Sequence, residues 1–209
     1  MTTPTTDPGE LRRLLGDMDI YLVDQLMRGR LTPDMTVLDA GCGKGRNSHY
    51  LLKAGFQVHA VDLKPENVLD FREAAWRVVP DWPIDNAAVA PLDDLPFPDE
   101  RFDAVLANAV LHFSESPSAF AASVDELWRV VKPGGFLWAR LTSSIGLEDR
   151  VEALGHQRFK LPDGSERYLV SEQDLLDTVA RLGGSLLDPI KTTNVQGLRC
   201  MTTWVVGKA

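Results

Sequence analysis

Apolar positions along the chain switch between a short-run pattern and a helical spacing, which predicts strands interleaved with helices. Strand-like apolar runs occupy residues 36–40, 57–62, 87–90, 102–108, 135–141, 185–191 and 200–207. Helical spacing covers residues 10–28, 46–54, 65–79, 116–131 and 171–182. Strands that alternate with helices favour a mainly parallel sheet with helices on both faces. The predicted fold class is therefore α/β, with a seven-stranded sheet.

Two segments depart from this alternation. Residues 157–170 form two strand-like arms around Pro162, Asp163 and Gly164, which predicts a β-hairpin. Residues 192–199 join the last two predicted strands without a helix. Because this connection is too short for a parallel crossover, we expect the last strand to be antiparallel.

Composition and length indicate one globular domain over residues 10–209, preceded by a disordered tail over residues 1–9. The formal net charge of −8 disfavours a broad nucleic-acid surface. Neither a signal peptide nor a bilayer-spanning apolar run is visible, so we expect a cytoplasmic protein with no membrane partner. Cys42 and Cys200 lack the spacing of a metal site or a disulfide framework, and no metal site is predicted.

The segment 37–52, VLDAGCGKGRNSHYLL, carries the strongest functional signal. An apolar run leads through Asp39 to three spaced glycines at positions 41, 43 and 45, and Asp62 ends the next strand-like run. Glycines allow a tight turn and a close approach of the backbone to a ligand. Together these residues predict a nucleotide-like cofactor at the carboxyl ends of two neighbouring parallel strands. The G-x-G-x-G spacing departs from the usual nicotinamide turn, but Asp62 suits either kind of cofactor.

Four motifs in order carry a resemblance to a known family: VLDAGCGKGRN, VHAVD, LDDLPFPDERFDAVLANAVLHF and ELWRVVKPGGFLW. Together they span about residues 36–141 and resemble the class I S-adenosylmethionine-dependent methyltransferases of the methyltransferase domain 11/25 type. The letters GRNS are similar to the tellurite-resistance methyltransferases. The resemblance implies a Rossmann-like fold, a cofactor-binding core over residues 36–141, and an antiparallel last strand.

The resemblance also implies that S-adenosylmethionine is the cofactor and assigns residues to it. They are Asp39, Gly41, Cys42, Gly43, Gly45, Arg46, Asn47, Asp62, Leu63, Leu92, Asp93, Ala107 and Asn108. Asp39 would anchor the turn near the amino group, while Asp62 would accept from the ribose hydroxyls and Leu63 would lie beside the adenine. Relatives often place an aspartate at the position of Pro91. The adenine contact is therefore expected from the Leu92 backbone amide or from Asp93 or Asp94, with a solvated loop face as the alternative for this acidic pair.

His112, four residues past Asn108, is the candidate general base. The alternative is that His112 caps a loop or packs against Phe113. Acceptor contacts are predicted for Tyr21, Asn194 and Arg199, with an exposed structural role as the alternative for the last two.

The acceptor is predicted to be a small molecule. Residues 108–111 read Asn-Ala-Val-Leu and differ from the Asn/Asp-Pro-Pro-aromatic run of amino-methylating DNA enzymes. The Pro-Cys pair of cytosine-C5 enzymes is absent as well. Two alternatives stay open: a non-catalytic protein that binds S-adenosylmethionine or S-adenosylhomocysteine, and a nicotinamide-dependent oxidoreductase. The oligomeric state is not predicted.

Overall fold

The computed structural model describes residues 7–209, which form two compact units that divide between Val89 and Ala90. The prediction of a single domain over residues 10–209 stays a prediction. Within the described residues, no helix is both long and apolar enough to cross a bilayer.

The first unit is built on a parallel sheet. Its helices and strands are α1 (Pro8–Leu15), α2 (Ile20–Met27), β1 (Thr36–Ala40), α3 (Ser48–Lys53), β2 (Gln57–Asp62), α4 (Pro65–Val78) and β3 (Ala87–Val89). Strand β1 pairs in parallel with β2, and β2 pairs in parallel with β3. Val37, Leu38 and Val58 are fully buried, as expected for strands covered on both faces. Because β1 and β2 run in the same direction, the residues that follow them leave the sheet at one edge.

The helix predicted over residues 10–28 is two helices, so that prediction is corrected. Gly16 has φ +63° and ends α1, and Asp19 starts α2 by accepting from the Tyr21 amide at 3.0 Å. The first helix begins at Pro8, because Asp7 caps it and proline suits a first-turn position. Residues 8 and 9 are therefore helical, and the tail predicted over residues 1–9 otherwise lies mostly outside the described residues.

The second unit combines parallel and antiparallel strand pairs. Its helices and strands are β4 (Phe102–Asn108), α5 (Pro117–Arg129), β5 (Val131–Thr142), β6 (Glu152–Gly155), β7 (Arg158–Lys160), β8 (Glu166–Tyr168), α6 (Glu172–Leu182), β9 (Ser185–Leu186), β10 (Lys191–Val195) and β11 (Arg199–Gly207). Strand β4 pairs in parallel with β5, whereas β11 pairs antiparallel with β5 and with β10. The prediction of an antiparallel last strand is confirmed.

The strand predicted over residues 185–191 is two short strands, β9 and β10. Pro189 lies between them, and proline cannot donate to a strand ladder. Strand β9 pairs with the end of β11 through Leu186 and Val206, while β10 forms a hairpin with the beginning of β11.

The predicted hairpin over residues 157–170 is present as the antiparallel pair of β7 and β8. Gly164 has φ +83° at the turn, and the Asp163 side chain accepts from the Ser165 amide at 2.9 Å. Strand β6 adds a third strand to this small sheet. The residues of β6 are all exposed, so β6 lacks the apolar alternation that reveals a strand in a sequence.

Candidate functional site

Hydrogen bonds from its own backbone amides fix the position of the glycine loop over residues 41–45. The amides of Gly41 and Cys42 both donate to the carbonyl of Val61, at 2.8 and 3.0 Å. The Gly45 amide donates to the Cys42 carbonyl at 2.9 Å. The three glycines have φ of +75°, +52° and +79°, a region that glycine adopts without steric cost. The loop is thereby fastened to the end of β2.

Asp62 completes this attachment. Its Oδ2 accepts from the Gly43 amide at 2.9 Å. Its Oδ1 accepts from the Lys64 amide and from Nδ2 of Asn67, both at 2.9 Å. An ionised carboxylate has about four acceptor positions, so Oδ2 retains capacity for one further donor. The next residue, Leu63, is 69% exposed and offers an apolar surface beside this carboxylate.

Space around the loop differs between its second and third glycines. A Cβ added at Gly43 meets no heavy atom within 4 Å, so this glycine faces open space. A Cβ added at Gly45 lies 2.8 Å from the Phe71 ring, so this glycine faces the core. Cys42, between Gly41 and Gly43, is buried, and burial raises the pKa of its thiol well above the usual range, which leaves it neutral. Of these two glycines, Gly43 is therefore the one with room for a ligand.

Asp39 is 2% exposed and bonded within the protein. Its Oδ2 accepts from the Ser48 hydroxyl at 2.6 Å, which connects the end of β1 to the start of α3. Burial raises the pKa of Asp39 to about 6, although the bond from Ser48 and the charge of Arg46 oppose this shift. The predicted anchoring role fits this geometry, and proximity to the cofactor's amino group stays a prediction.

Arg46 and Asn47, predicted to bind the cofactor, contact the start of α2, and their contact with the cofactor stays a prediction. The Oδ1 atom of Asn47 accepts from the Asp19 amide at 3.0 Å, and both residues are buried. The Arg46 guanidinium lies 3.8 Å from the Asp19 carboxylate. Asp19 also caps α2 by accepting from the amide of Tyr21, the residue of this unit that is predicted to contact the methyl acceptor. Sequence reasoning missed Asp19, although an aspartate before an apolar helical stretch is a capping signal.

Removing the Asn47 side chain should loosen α2 more than it affects the sheet. In Asn47→Ala the buried Asp19 amide loses its acceptor, which costs about 1–3 kcal/mol. We expect faster hydrogen exchange at the amides of Leu22 and Val23, measured by NMR. Arg28→Ala, which removes an exposed ion pair within α2, serves as the control and should leave this exchange nearly unchanged. Equal exchange in Asn47→Ala and the wild type would contradict the assignment.

In the second unit, the predicted cofactor residues lie in two places. Leu92 is half-buried and Asp93 is exposed, in the segment before β4. Ala107 and Asn108 end β4, and both are buried. Asn108 is in register with Arg140 of the parallel strand β5. The structure leaves Asp93 at the surface, and its contact with adenine stays a prediction.

Asn194 and Arg199 each contact another residue of the second unit. Asn194 accepts from the Gly197 amide at 2.6 Å and donates to the Gly146 carbonyl at 3.3 Å. Arg199 lies 3.7 Å from Asp163, in the turn between β7 and β8. Each side chain thus has a structural partner, which favours the structural alternative, and acceptor contact stays a prediction.

His112 lies in a short 3-10 helix (Leu111–Phe113) after β4 and is 6% exposed. Its Nδ1 accepts from the backbone amide of Thr142, at the end of β5, at 3.2 Å. A neutral ring whose Nδ1 accepts carries its hydrogen on Nε2. Burial, with a smaller effect of Arg167, lowers the pKa of His112 to about 4. A general base at Nδ1 would have to break the Thr142 bond, so this geometry favours a hydrogen-bond donor at Nε2.

The low pKa of His112 predicts a stability difference between neutral and acid pH. The pKa of His112 is 6.5 in the unfolded chain and about 4 in the folded protein. The contribution of the neutral ring to the free energy of unfolding is therefore complete above pH 6.5 and is lost as the pH falls through 4. The shift corresponds to about 3 kcal/mol. We expect chemical denaturation to show a shallower loss on acidification for His112→Asn, whose oxygen can still accept from Thr142. Identical pH dependence in the two proteins would rule out the shift.

Residues 38–139 match the family described as methyltransferase domain. The uncharacterized methyltransferase YodH of Bacillus subtilis is 37% identical over 112 residues, which cover 54% of this chain and 45% of YodH. The chain contains a class I methyltransferase domain. The match with YodH spans less than half the length of that relative.

Solved structures show the same fold for the whole chain. The crystal structure of the PH0226 protein of Pyrococcus horikoshii OT3 has a TM-score of 0.72 and 19% identity, covering 99% of this chain and 94% of that protein. The 1,6-didemethyltoxoflavin-N1-methyltransferase of Burkholderia thailandensis, solved with S-adenosylhomocysteine, has a TM-score of 0.63 and 19% identity. The match covers 100% of this chain and 93% of that protein. The predicted class I methyltransferase fold is confirmed. The domain match begins in β1 and ends in β5, so it includes His112 and excludes Tyr21, Asn194 and Arg199.

Proposed function

We propose that this protein transfers a methyl group from S-adenosylmethionine to a small-molecule acceptor. One observation carries the proposal: four of the five amides of the glycine loop donate to acceptors within the protein, while the buried carboxylate of Asp62 lies beside the loop. The amides of Gly41, Cys42, Gly43 and Gly45 all donate to protein acceptors. Asp62 keeps capacity for one more donor.

This arrangement suits a ligand with hydroxyl and cationic groups better than one with a pyrophosphate. A dinucleotide turn binds phosphate oxygens through free amides at the start of a helix. Here four loop amides have protein acceptors and α3 has only six residues, so little of that donor set remains. S-adenosylmethionine carries no phosphate, and its ribose hydroxyls are donors for Asp62. The nicotinamide alternative is therefore disfavoured.

The residues of the first unit would hold the donor as follows. Asp62 accepts from a ribose hydroxyl, Leu63 covers one face of the adenine, and Gly43 leaves room for the ligand to approach the loop. Asp39, which bonds Ser48, keeps the loop and α3 in register. The bound donor would supply a sulfonium methyl group. A nucleophilic atom of the acceptor would form a bond to the methyl carbon in line with the C–S bond, which breaks and leaves its electron pair on the departing thioether sulfur. Much of the rate enhancement in such a displacement comes from alignment and exclusion of water.

The acceptor side of the proposal rests on charge and on the second unit. With a net charge of −8, the protein is poorly suited to a polyanionic nucleic acid. We take His112, a buried hydrogen-bond donor after β4, to orient an acceptor atom rather than to remove its proton, because its Nδ1 already accepts from Thr142. The B. thailandensis neighbour named above methylates a small heterocycle according to its name, which is compatible with a small acceptor here.

Isothermal titration calorimetry with S-adenosylmethionine, S-adenosylhomocysteine and NADH tests the proposal. We expect both sulfur compounds to bind and NADH to show no binding. Binding of NADH without the other two would overturn the proposal. Release of S-adenosylhomocysteine during incubation with a library of small acceptors, followed by mass spectrometry, would separate an enzyme from a non-catalytic binding protein.

A further inference from the structure

The guanidinium of Arg167, in β8, lies over the ring of Phe113 in the short helix after β4. The distance from its Cζ to the ring centroid is 4.9 Å, within the range of a cation–π contact. Its Nη1 donates to the Glu166 carbonyl at 2.7 Å, which limits rotation of the side chain. Arg167 is half-buried, while Phe113 is 59% exposed. The small sheet of β6, β7 and β8 thus presents a fixed cation above an exposed aromatic ring.

The carboxylates near Arg167 form ion pairs with other arginines. Glu166 lies 3.6 Å from Arg158, and Asp163 lies 3.7 Å from Arg199. Arg167 lowers the pKa of Asp163 only as the weakest of several causes, the first of which is the Ser165 side chain. Within residues 7–209, no carboxylate reaches salt-bridge distance of the Arg167 guanidinium. A half-buried cation without an ion-pair partner suits an anion from outside the chain.

His112 supplies a second donor next to this cation. Its ring centroid lies 4.7 Å from that of Phe113. Its Nδ1 is occupied by the Thr142 amide, so Nε2 carries the hydrogen. Among the described residues, no protein group accepts that hydrogen. Arg167, His112 and Phe113 therefore combine a cation, a neutral donor and an apolar ring; these three residues are called the Arg167 cluster below.

We propose that the Arg167 cluster binds a small organic carboxylate, with Arg167 and His112 on its anionic group and the Phe113 ring against its apolar body. The inference rests on the proposed function, because it takes this carboxylate to be the methyl acceptor. A carboxylate fits better than a phosphate because Nη1 of Arg167 already donates to the Glu166 carbonyl, and one face of the Phe113 ring already contacts the guanidinium. The remaining donors match a flat monoanion that accepts two hydrogen bonds.

The position of the cluster supports an acceptor site. Phe113 and His112 belong to the methyltransferase domain and follow the end of β4, where the family resemblance assigns Ala107 and Asn108 to the cofactor. Arg167 comes from the β7–β8 hairpin, outside the family match, where chains of one fold differ in their loops and in specificity. The domain common to the family thus contributes the hydrogen-bond donor His112 and the ring of Phe113. The hairpin contributes the positive charge of Arg167.

Phenylacetate and its neutral isostere phenylacetamide are the probes for this site. Each is titrated calorimetrically into the wild type, Arg167→Met and Arg158→Met, with and without saturating S-adenosylhomocysteine. Arg158→Met is the matched control, because Arg158 lies on the same small sheet but has its own carboxylate partner. Arg167→Lys keeps the charge without the planar fork, and thermal unfolding verifies that each variant is folded.

We expect the wild type to bind phenylacetate about tenfold more tightly than phenylacetamide, as a charge-assisted bond predicts. Arg167→Met should lose this preference, Arg167→Lys should retain part of it, and Arg158→Met should retain it fully. Equal binding of the two probes, absence of phenylacetate binding, or an equal loss in Arg158→Met would overturn the inference. If phenylacetate is preferred but S-adenosylhomocysteine does not bind, the proposed function fails and the anion site stands without its assignment as an acceptor site.

Discussion

Replacing Gly43 with alanine is expected to lower the affinity for S-adenosylmethionine by about 10- to 100-fold while the fold is retained. Gly43 has φ +52°, and a non-glycine residue there costs about 1–2 kcal/mol. The added methyl group meets no protein atom within 4 Å, so the fold can accommodate it. It would, however, enter the space that we assign to the cofactor. Calorimetry and thermal unfolding of the same preparation separate the two effects.

Gly45→Ala is the matched control for this prediction. Gly45 also has a positive φ, of +79°, but its added Cβ would lie 2.8 Å from the Phe71 ring. We expect this variant to lose about 2–4 kcal/mol of folding stability, from backbone strain together with a core clash. Unchanged cofactor affinity in Gly43→Ala would contradict the proposed site, whereas a fully stable Gly45→Ala would contradict the described loop.

Asp62→Asn is expected to weaken S-adenosylmethionine binding by about 10- to 100-fold, the value of one hydrogen bond to a charged group. The substitution removes the negative charge and puts an NH2 group where one oxygen accepts from Gly43 or from Lys64. In one orientation the NH2 group opposes the Gly43 amide, and in the other it opposes both the Lys64 amide and Nδ2 of Asn67. Calorimetric titration gives the change in affinity, and hydrogen exchange at the loop amides shows how far the loop opens.

Asn67→Ala distinguishes loss of the charge from loss of the bonds around it. This variant removes one donor to Asp62 and leaves its charge and its bond from Gly43 in place. We expect a modest loss of stability, about 1 kcal/mol, and cofactor affinity within a few-fold of the wild type. Affinity lost equally in Asn67→Ala and Asp62→Asn would mean that Asp62 acts only through the shape of the loop.

Local signals in the sequence account for much of the fold and for half of the candidate site. The spaced glycines and the carboxylate that ends β2 are adjacent to strand ends, and the structure joins them through the bond from Gly43 to Asp62. The short connection before β11 predicts its antiparallel direction, which is confirmed. Pro-Asp-Gly predicts the β7–β8 turn. Each of these predictions depends on residues within one turn or on one loop length, which a sequence shows directly.

Errors arose where one local signal outweighed another. The apolar spacing over residues 10–28 is helical throughout, but Gly16 and the cap at Asp19 interrupt it. Pro189 likewise divides a run that is apolar enough for one strand. Both breaks are visible as residue types, yet their effect depends on backbone angles that compete with burial of the apolar face.

By itself, then, the sequence determined most of the order of strands and helices, the family and the position of the glycine loop beside the end of β2, because these follow from short-range patterns. Only the tertiary structure decided that Asn47 serves α2, that Thr142 occupies Nδ1 of His112, and that Arg167 lies over Phe113. The partners in these three contacts are separated by 28, 30 and 54 residues, respectively. Contacts of that kind depend on how distant segments pack, and no spacing along the chain records them.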